Sequence, residues 1–325
     1  MLESSDGQLR LLDLRPGHDG DLSQEVIAGL GAPQKKLPPK LLYDERGSTL
    51  FDRICLLEEY YPTRTELGIL RRSGEEIASL LGDECLLVEL GAGNAVKGRL
   101  LLDRLARPAG YVPVDIAGQA LIRSARRISI DYPGLEVLPV CADFTKEFPL
   151  PSPRREPRRT VFFFPGSTIG NLEPEEAELF LRGLAEKAGA GGGVLVGVDL
   201  KKDPRVLHAA YNDAAGVTAA FNANLLERLN RELAGEFHLE QFAHYAIYNP
   251  GAGRVEMHLV SLEDQVIGVA GEWFEFRQGE SIHTENSYKY TLEQFQELAA
   301  RAGLRHERSW LDERRLFSLQ YLEVR

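Results

Sequence analysis

Short apolar runs alternate with amphipathic stretches across the middle of the chain. The runs that fit buried strands are 86–90, 111–116, 135–142, 160–165 and 193–200. The stretches with helical spacing between them are 97–105, 118–132 and 174–188. Strands that alternate with helices indicate right-handed βαβ units and a parallel sheet. This part of the chain therefore predicts an α/β fold.

The N-terminal side of this alternation is first polar and then helical. Residues 1–40 are polar, with Pro and Gly at intervals, and we expect an extended arm that packs only partly onto the body. Residues 43–61 have helical spacing that stops at Pro62, and residues 65–81 predict a second helix. The first ten residues are polar and acidic, which is unlike a signal peptide.

The pattern changes again after residue 200. Residues 203–234 predict a long helical region with a break near Gly216. Stretches rich in strand-forming residues follow at 242–249, 255–262 and 266–276. A last helix at 292–302 and strands at 307–311 and 317–324 can complete the parallel sheet. Residues 201–288 therefore look like an insertion into an α/β domain.

Composition excludes several classes of protein. The 325 residues suffice for two domains, and 43% hydrophobic with 27% charged residues is ordinary globular composition. The net charge of −11 comes without a basic stripe, which argues against a nucleic acid partner. No apolar run approaches the ~20 residues of a membrane helix. The three cysteines lack CxxC spacing, so we expect free thiols in the cytoplasm and no metal site. No exposed apolar seam is readable, so we expect a monomer.

A glycine motif closes the first strand of the alternating segment. Glu89-x-Gly91-x-Gly93 resembles the first motif of S-adenosylmethionine-dependent methyltransferases. The glycines let the backbone approach a ligand, and Lys97 can contact the carboxylate of a methionine. A dinucleotide fingerprint needs a third glycine where Val96 stands. Taken alone, the motif also fits an ordinary strand–turn–helix, and the lysine also fits an exposed helix position.

Acidic residues end the next two strands. Asp115 follows the second strand and can accept hydrogen bonds from ribose hydroxyls, as in doubly wound sheets. Asp143 follows the third strand, and with its neighbour Phe144 it suits an adenine. Taken singly, each aspartate is better explained as a helix N-cap or a turn residue. Three successive strand ends carrying such residues favour a cofactor site.

Longer segments resemble the L-histidine Nα-methyltransferase family, which makes hercynine on the way to ergothioneine. The matching segments are 43–66, 87–102, 111–116, 164–172, 199–233, 254–261 and 279–291. FPGSTIGNL and IHTENSYKYT among them are far more specific than a glycine loop. The resemblance implies S-adenosylmethionine as cofactor, L-histidine as the small-molecule substrate, and transfer of three methyl groups to the α-amino nitrogen.

The resemblance also implies the domain organisation. A Rossmann-like class I methyltransferase domain takes residues 65–200 plus 289–325. A second, α+β domain that binds the substrate takes residues 1–64 plus 201–288. The second domain thus combines the N-terminal arm with the insertion.

Residue roles follow from the same resemblance. Tyr60 lines the imidazole pocket, and Glu285 and Ser287 hydrogen-bond the imidazole nitrogens. Asn171 and Tyr211 hold the carboxylate and the amine of the amino acid. The remaining pocket residues are Tyr43, Gly166, Thr218, Phe221 and Met257. The residues that hold the cofactor are Gly91, Lys97, Asp115, Asp143 and Phe144. As catalytic residues we expect Asn171 and the hydroxyl of Tyr43, which orient the neutral amine.

Alternative roles for these residues stay open at this point. A paralogue could methylate another aromatic amino acid or amine, such as a tryptophan derivative, and a non-catalytic regulator could retain the fold. Without the resemblance, Glu285 is explained as a surface carboxylate on a polar turn, Tyr60 and Tyr211 as core residues, and Asn171 as a turn residue. Glu285 with Ser287 argues against an indole, since a larger ring favours smaller, apolar neighbours.

Overall fold

The chain folds into two compact units. The structure, a computed structural model, describes residues 2–3, 10–14 and 20–325. The first unit contains Pro62–Lys201, Lys289–Arg325 and the described part of Met1–Arg15. The second contains Lys202–Tyr288 and the described part of Pro16–Tyr61. That one unit serves the cofactor and the other the substrate stays a prediction.

The described residues of the first unit form a nine-stranded sheet. Its strands, in spatial order, are β1 (Leu2–Glu3), β2 (Arg10–Asp13), β5 (Val140–Cys141), β4 (Gly110–Asp115), β3 (Cys85–Leu90), β6 (Arg159–Phe164), β7 (Gly193–Asp199), β14 (Phe317–Val324) and β13 (Leu304–Leu311). The strands from β2 to β7 in this order are parallel, whereas β1, β13 and β14 pair antiparallel. The order reverses between β3 and β6, which is where such sheets bind ligands. The predicted α/β sheet is confirmed.

Helices complete the first unit, and they leave its strands buried. They are α3 (Tyr61–Leu81), α4 (Val96–Leu102), α5 (Gly118–Asp131), α6 (Pro174–Ala188) and α9 (Leu292–Arg301), with a 3-10 turn at Thr168–Asn171. Every residue of β3 and β7 is buried, so these strands lack the alternation of a half-exposed strand. Side chains such as Ile77, Leu87 and Phe163 form the core.

The second unit is built from helices and antiparallel strands. Its helices are α1 (Gly20–Leu30), α2 (Glu45–Ile54), α7 (Pro204–Tyr211) and α8 (Val217–Glu232), with 3-10 turns at Pro39–Leu42 and Leu239–Gln241. Its strands are β8 (Phe242–Asn249), β9 (Arg254–Ser261), β10 (Gln265–Val269), β11 (Glu272–Phe276) and β12 (Ser281–Tyr288). β12, β9 and β8 form one sheet, and β10 and β11 form a hairpin. The predicted helix break is confirmed, because Gly216 has a φ of 69° before α8.

One face of the sheet β12-β9-β8 is covered by α7 and α8. Along β9, buried and half-buried side chains alternate, with Val255, Met257 and Leu259 on the buried face. The neighbouring positions His244 and Ala246 of β8 pair with Leu259 and Met257 and lie on this same face. We call it the helix-covered face.

The N-terminal arm differs from the expectation of an extended, partly packed segment. Arg10–Asp13 joins the large sheet beside β5, with Leu12 N donating to Pro139 O at 3.0 Å. Gly20–Leu30 forms a helix in which Val26 and Leu30 are buried. Because the segment is polar on average, its few apolar positions did not indicate a strand or a helix. Residues 1, 4–9 and 15–19, which also belong to the predicted arm, lie outside the described residues.

Two other element predictions were wrong in their bounds. The helix expected over 43–61 covers only Glu45–Ile54, and Pro62 lies in the first turn of α3, where its missing N–H costs nothing. The strand expected over 266–276 is a hairpin, because Ala270 and Gly271 both have positive φ (54° and 82°) and form a two-residue turn.

The third strand of the parallel sheet is shorter than expected. Of residues 135–142, only Val140–Cys141 forms the strand β5, while Val137 makes an isolated bridge to Tyr111. The apolar side chains of this segment are nevertheless buried, including Val137 and Leu138. Burial rather than strand pairing therefore explains most of the apolar run.

Candidate active site

The glycine motif forms a tight turn at the end of β3. Gly91 and Gly93 have φ values of 68° and 50°, in the left-handed region that glycine adopts readily. Gly91 N and Ala92 N donate to Val114 O at 2.8 and 3.1 Å, and Gly93 N donates to Asp115 Oδ2 at 2.9 Å. The turn is thus tied to the end of β4, and the first two predicted strand ends lie together.

Asp115 joins the glycine turn to the start of α5. Its other carboxylate oxygen, Oδ1, accepts from Ala117 N at 2.8 Å. Burial raises the pKa of this carboxyl group, and the backbone donors oppose the rise. Because each carboxylate oxygen can accept more than one hydrogen bond, the arrangement has acceptor capacity for ribose hydroxyls.

Phe144 lies beside the same turn. A Cβ atom built on Gly91 would lie 3.7 Å from Phe144 Cε1, so a side chain there would contact the ring. The ring packs edge-on against Phe164, with centroids 5.4 Å apart. Asp143 Oδ1 accepts from Thr145 N at 3.1 Å, which is a turn-forming bond. The structure therefore brings Phe144 to the glycine turn, while an adenine contact of Asp143 stays a prediction.

The acidic residue of the motif, Glu89, lies beneath the turn and not on its surface. Its side chain is 1% exposed and accepts a short hydrogen bond from the Tyr111 hydroxyl. A Cβ atom on Gly98 would lie 2.1 Å from Glu89 Oε2, so α4 can approach only because residue 98 is glycine. Burial raises the pKa of Glu89 to about 7. We therefore expect Glu89 to act on a cofactor only through the turn it supports, not by the direct contact that the motif implied.

Lys97 is held by a residue that the sequence analysis missed, Glu66 of α3. Lys97 Nζ lies 2.6 Å from Glu66 Oε2, and the Glu66 side chain is fully buried. Both oxygens of Glu66 also accept from Gly166 N, at 3.1 and 3.0 Å. The signal was present, because Glu66 precedes the buried Ile69 and Leu70 by three and four positions and so lies on the buried face of α3.

Gly166 and Asn171 lie in the loop after β6. Gly166 has a φ of 80°, and a Cβ atom there would lie 3.3 Å from Lys97 Nζ. Asn171 is half-buried at the end of the 3-10 turn Thr168–Asn171. Ser167 braces this loop, since its Oγ accepts from Asp199 N at 2.9 Å. Both predicted substrate residues thus belong to the first unit, and Gly166 adjoins the predicted cofactor lysine.

An aromatic cluster in the second unit contains all three predicted pocket tyrosines. Tyr43 lies edge-on to Phe221 (centroids 5.5 Å apart), and Tyr60 lies edge-on to Tyr211 (6.3 Å). Phe51, which the sequence analysis did not name, connects them, at 5.7 Å from Tyr43 and 6.2 Å from Tyr60. Phe51 falls inside the family-like segment 43–66, but nothing local distinguishes it from a core phenylalanine.

Glu285 and Ser287 lie on β12, a strand that the sequence analysis did not predict. Both side chains are buried, and they pair with Met257 and Val255 on the helix-covered face. Tyr211 donates from its hydroxyl to Ser287 Oγ at 2.8 Å. Burial, and then the charges of neighbours that include Tyr211 and Glu285, raise the pKa of Tyr60 well above its usual value. The structure therefore brings the predicted carboxylate, hydroxyl and aromatic residues of the imidazole pocket together.

Thr218 and Phe221 lie one turn apart on α8. The start of this helix is fixed by Asp213, whose carboxylate accepts from Val217 N and Thr218 N, both at 2.8 Å. Thr218 is 3% exposed and Phe221 2%. With Met257 also buried, each of these predicted pocket residues is enclosed within the second unit.

The position of Tyr211 depends on a histidine that the sequence analysis missed. Tyr211 ends α7, and its carbonyl oxygen lies 2.9 Å from His244 Nε2. His244 Nδ1 lies 3.0 Å from Asn222 Nδ2, an amide donor, so the geometry assigns the proton of the neutral ring to Nε2. Burial lowers the pKa of His244, which favours this neutral form. A histidine on a strand gave no signal for this role.

Comparison with known proteins identifies the family of this chain. Residues 22–324 match the model of a family described as histidine-specific, S-adenosylmethionine-dependent methyltransferases. The chain belongs to this family. The resemblance found in the sequence, the enzyme class and the cofactor are therefore confirmed.

Individual relatives are similar over most of this chain. The chain is 44% identical to histidine N-alpha-methyltransferase of Mycolicibacterium smegmatis, over 90% of this chain and 91% of that one. It is 41% identical to histidine N-alpha-methyltransferase of Mycobacterium tuberculosis, over 92% and 93%. Ergothioneine biosynthesis protein 1 of Neurospora crassa is 32% identical over 85% of this chain, which covers 32% of that protein.

Two further observations concern the described residues as a whole. Within them, no group of histidine, cysteine, aspartate and glutamate side chains is arranged to hold a metal ion. None of the helices in that part of the chain combines the length and the apolar character that crossing a membrane requires.

Proposed function

We propose that this chain transfers three methyl groups from S-adenosylmethionine to the α-amino nitrogen of L-histidine, which gives hercynine in the first step of ergothioneine biosynthesis. The observation that carries the proposal is the placement of Glu285 and Ser287 on the helix-covered face, with Ser287 bonded to Tyr211 and Glu285 within electrostatic reach of Tyr60. Family membership supports the same reaction.

Recognition of histidine rests on the two ring nitrogens. A neutral imidazole offers one donor and one acceptor, and a protonated one offers two donors. A carboxylate beside a hydroxyl satisfies either form, because the Glu285 carboxylate accepts and the Ser287 hydroxyl can donate or accept. A ring without these nitrogens would offer no hydrogen-bond partner to either group, and each missing substrate bond would cost about 1–3 kcal/mol. The pocket therefore favours histidine over phenylalanine and over an indole.

The cofactor residues fit S-adenosylmethionine in shape and in hydrogen-bonding character. The space that a Cβ atom on Gly91 would fill lies 3.7 Å from Phe144 Cε1, so a base at the turn would contact this ring. Asp115 has acceptor capacity for ribose hydroxyls, and Lys97 carries the positive charge that a methionine carboxylate needs. When bound, S-adenosylmethionine supplies a methyl group on a sulfonium, a leaving group that needs no further activation.

The protein's own task is to align and to dehydrate the reacting groups. The amine attacks only when it is neutral, because an ammonium has no lone pair. We assign the orientation of the neutral amine to Asn171 and to the Tyr43 hydroxyl. The proton that the ammonium loses passes to water, and no side chain is assigned as a general base. Tyr60 keeps its own proton, since its raised pKa excludes a phenolate near neutral pH. Three rounds require the amine to rotate while the imidazole stays bound.

The aromatic cluster suits the product. The trimethylammonium group carries a permanent positive charge, and the faces of Tyr and Phe rings attract such cations by about 0.5–2 kcal/mol. The rings of Tyr43, Phe51 and Tyr60 supply such faces within one cluster. This attraction stabilises the trimethylated product, whose charge does not depend on pH.

The decisive experiment is mass spectrometry of reactions that contain the protein, S-adenosylmethionine and each of the twenty amino acids separately. We expect a mass gain of three methyl groups on histidine alone. Methylation of another amino acid would keep the fold and the cofactor but overturn the imidazole pocket. No product from any amino acid would favour a derivatised substrate or a regulator.

A variant tests the pocket directly. Replacing Glu285 by Ala should raise the histidine KM strongly and leave S-adenosylmethionine binding unchanged, because the carboxylate belongs to the substrate side. Replacing Glu240, an exposed glutamate of the same unit, by Ala is the matched control. Unchanged histidine kinetics in the Glu285 variant would remove this residue from the recognition site.

We also propose that the enzyme works as a monomer in the cytoplasm. All three cysteines are free thiols, with Cys85 and Cys141 buried and Cys55 half-buried, which suits a reducing compartment. Light scattering during size-exclusion chromatography checks the monomer, and a mass near twice 36.2 kDa would contradict it.

A further inference from the structure

The pairing of β12 with β9 is irregular at one residue. Ile282 pairs with Leu259 and His283 with His258, but the next pair is Glu285 with Met257. Thr284 therefore stands between two residues that face consecutive positions of β9. This is the geometry of a β-bulge, in which two residues of one strand oppose one residue of the other.

The bulge decides which way the recognition residues point. Side chains alternate along a strand, so a regular β12 would place Glu285 and Ser287 on the face that His283 occupies. After the bulge, Glu285 and Ser287 pair with Met257 and Val255 and share the helix-covered face with Ile282. Because Thr284 is taken up in the bulge and not in the regular pairing, the carboxylate and the hydroxyl lie on the helix-covered face.

The opposite face would suit neither side chain. It carries Glu256 of β9, which is paired with Arg254 at 2.8 Å and lies 3.5 Å from His258 Nε2. In a regular register Glu285 would share this face with another carboxylate. Ser287 would lose its bond to Tyr211, which lies on the helix-covered side.

The bulge is held on its N-terminal side and at its centre. On its N-terminal side, His283 N donates to Lys35 O at 2.8 Å, and the His283 carbonyl accepts from Leu37 N at 2.9 Å, which fixes residue 283. At its centre, Thr284 is 1% exposed and donates from Oγ1 to Met257 O at 3.1 Å. The threonine hydroxyl thus connects the extra residue to the residue that pairs with Glu285.

We propose that the bulge at Thr284 sets the substrate specificity of this enzyme, and that Thr284 is a positioning residue that aims Glu285 and Ser287 at the imidazole. The inference rests on the proposed function. Thr284 acts through its neighbours, so its loss should weaken histidine binding and leave the cofactor and the chemical step nearly unchanged.

The test uses two substitutions of Thr284. Replacing it by Val keeps the branched shape and removes the hydroxyl, and we expect the histidine KM to rise about tenfold, as for the loss of one buried hydrogen bond. We expect kcat and the Kd for S-adenosylmethionine to stay within about twofold. Replacing it by Ser restores the donor and should return the histidine KM to the wild-type value. Replacing the exposed Thr49 by Val is the control for a threonine hydroxyl elsewhere.

The outcomes separate this proposal from the proposed function. If the wild-type enzyme does not methylate histidine, the proposed function fails, and with it the specificity assigned to the bulge. If the wild-type enzyme methylates histidine and the Val variant keeps its histidine KM, the role of Thr284 alone is overturned.

Discussion

The hydroxyl of Tyr211 donates to Ser287 Oγ across 2.8 Å, although 76 residues separate the two in the sequence. Tyr211 ends α7, and Ser287 lies on β12. The bond therefore joins the helical and the sheet parts of the second unit at the predicted imidazole pocket. It also orients the Ser287 hydroxyl, which we expect to bond the substrate.

Removing the Tyr211 hydroxyl should weaken the binding of histidine and leave the binding of S-adenosylmethionine unchanged. In a Tyr211→Phe variant the ring remains, and Ser287 loses the donor that orients it. We expect the histidine KM to rise about fivefold, as for one neutral hydrogen bond. Steady-state kinetics with histidine varied, and calorimetry with S-adenosylmethionine, measure the two effects. Tyr245→Phe on the exposed side of β8 is the matched control, and an equal rise there would contradict the assignment.

His244 should impose a pH dependence on the same pocket. Its pKa is lowered by burial, so its contribution to stability is complete above the ordinary histidine pKa of ~6.5 and is lost as the pH falls through the lower folded value. Protonation places a second N–H against the Asn222 amide and disturbs the neutral arrangement that holds Tyr211. We expect the free energy of unfolding to drop below about pH 6.5 in the wild type and to drop less in His244→Gln. Urea titrations from about pH 5 to 8 measure this difference, and identical profiles would refute it.

The buried carboxylate of Glu66 should matter for the cofactor. In Glu66→Gln, Lys97 loses its charged partner, and Gly166 keeps only one acceptor oxygen. We expect the Kd for S-adenosylmethionine to rise about tenfold, because breaking a partly buried ion pair costs at least the energy of one charged hydrogen bond. Isothermal titration calorimetry gives the Kd. Glu178→Gln, which breaks a surface ion pair with Arg301, is the control, and tighter or unchanged binding in the Glu66 variant would contradict the expectation.

Glu89 should make the folded protein less stable as the pH rises towards 7. Its pKa rises from an ordinary 4.5 to about 7 in the folded state. A raised folded pKa contributes stability that is complete below the unfolded pKa and is lost as the pH rises through 7. Glu89→Gln should therefore gain stability over the wild type between about pH 5 and 8, by up to about 3 kcal/mol. Denaturant titrations of both proteins, with the exposed Glu156→Gln as control, measure the gain, and a pH-independent difference would rule out this cause.

Much of the first unit could be predicted from local pattern. Continuous apolar runs such as 160–165 identify buried parallel strands because both of their faces are covered. The ends of such strands share one edge of the sheet, so the positions of Gly91, Gly93 and Asp115 along the chain suffice to place them together. The bonds from Gly91 N to Val114 O and from Gly93 N to Asp115 Oδ2 bear this out.

Other features could not be derived from pattern. The motif glutamate, Glu89, looks like a ligand contact, but packing against Tyr111 and Gly98 buries it. Glu66, Phe51 and His244 are separated in sequence from the residues that they position, and no local periodicity marks such pairs. The segment 281–288 looks polar although most of its side chains are buried, because their partners lie on distant segments such as α7 and β9.

The sequence by itself determined the α/β alternation, the residues at the strand ends and, through its motifs, the family. Those features depend on local periodicity and on residue type, which the chain carries in order. Only the tertiary structure decided that Thr284 forms a bulge, that Glu285 and Ser287 consequently share the helix-covered face, and that Glu66 connects Lys97 to Gly166. The reason is physical: strand register and the burial of charge depend on partners that lie far away along the chain, and one residue of register reverses the face of every side chain that follows.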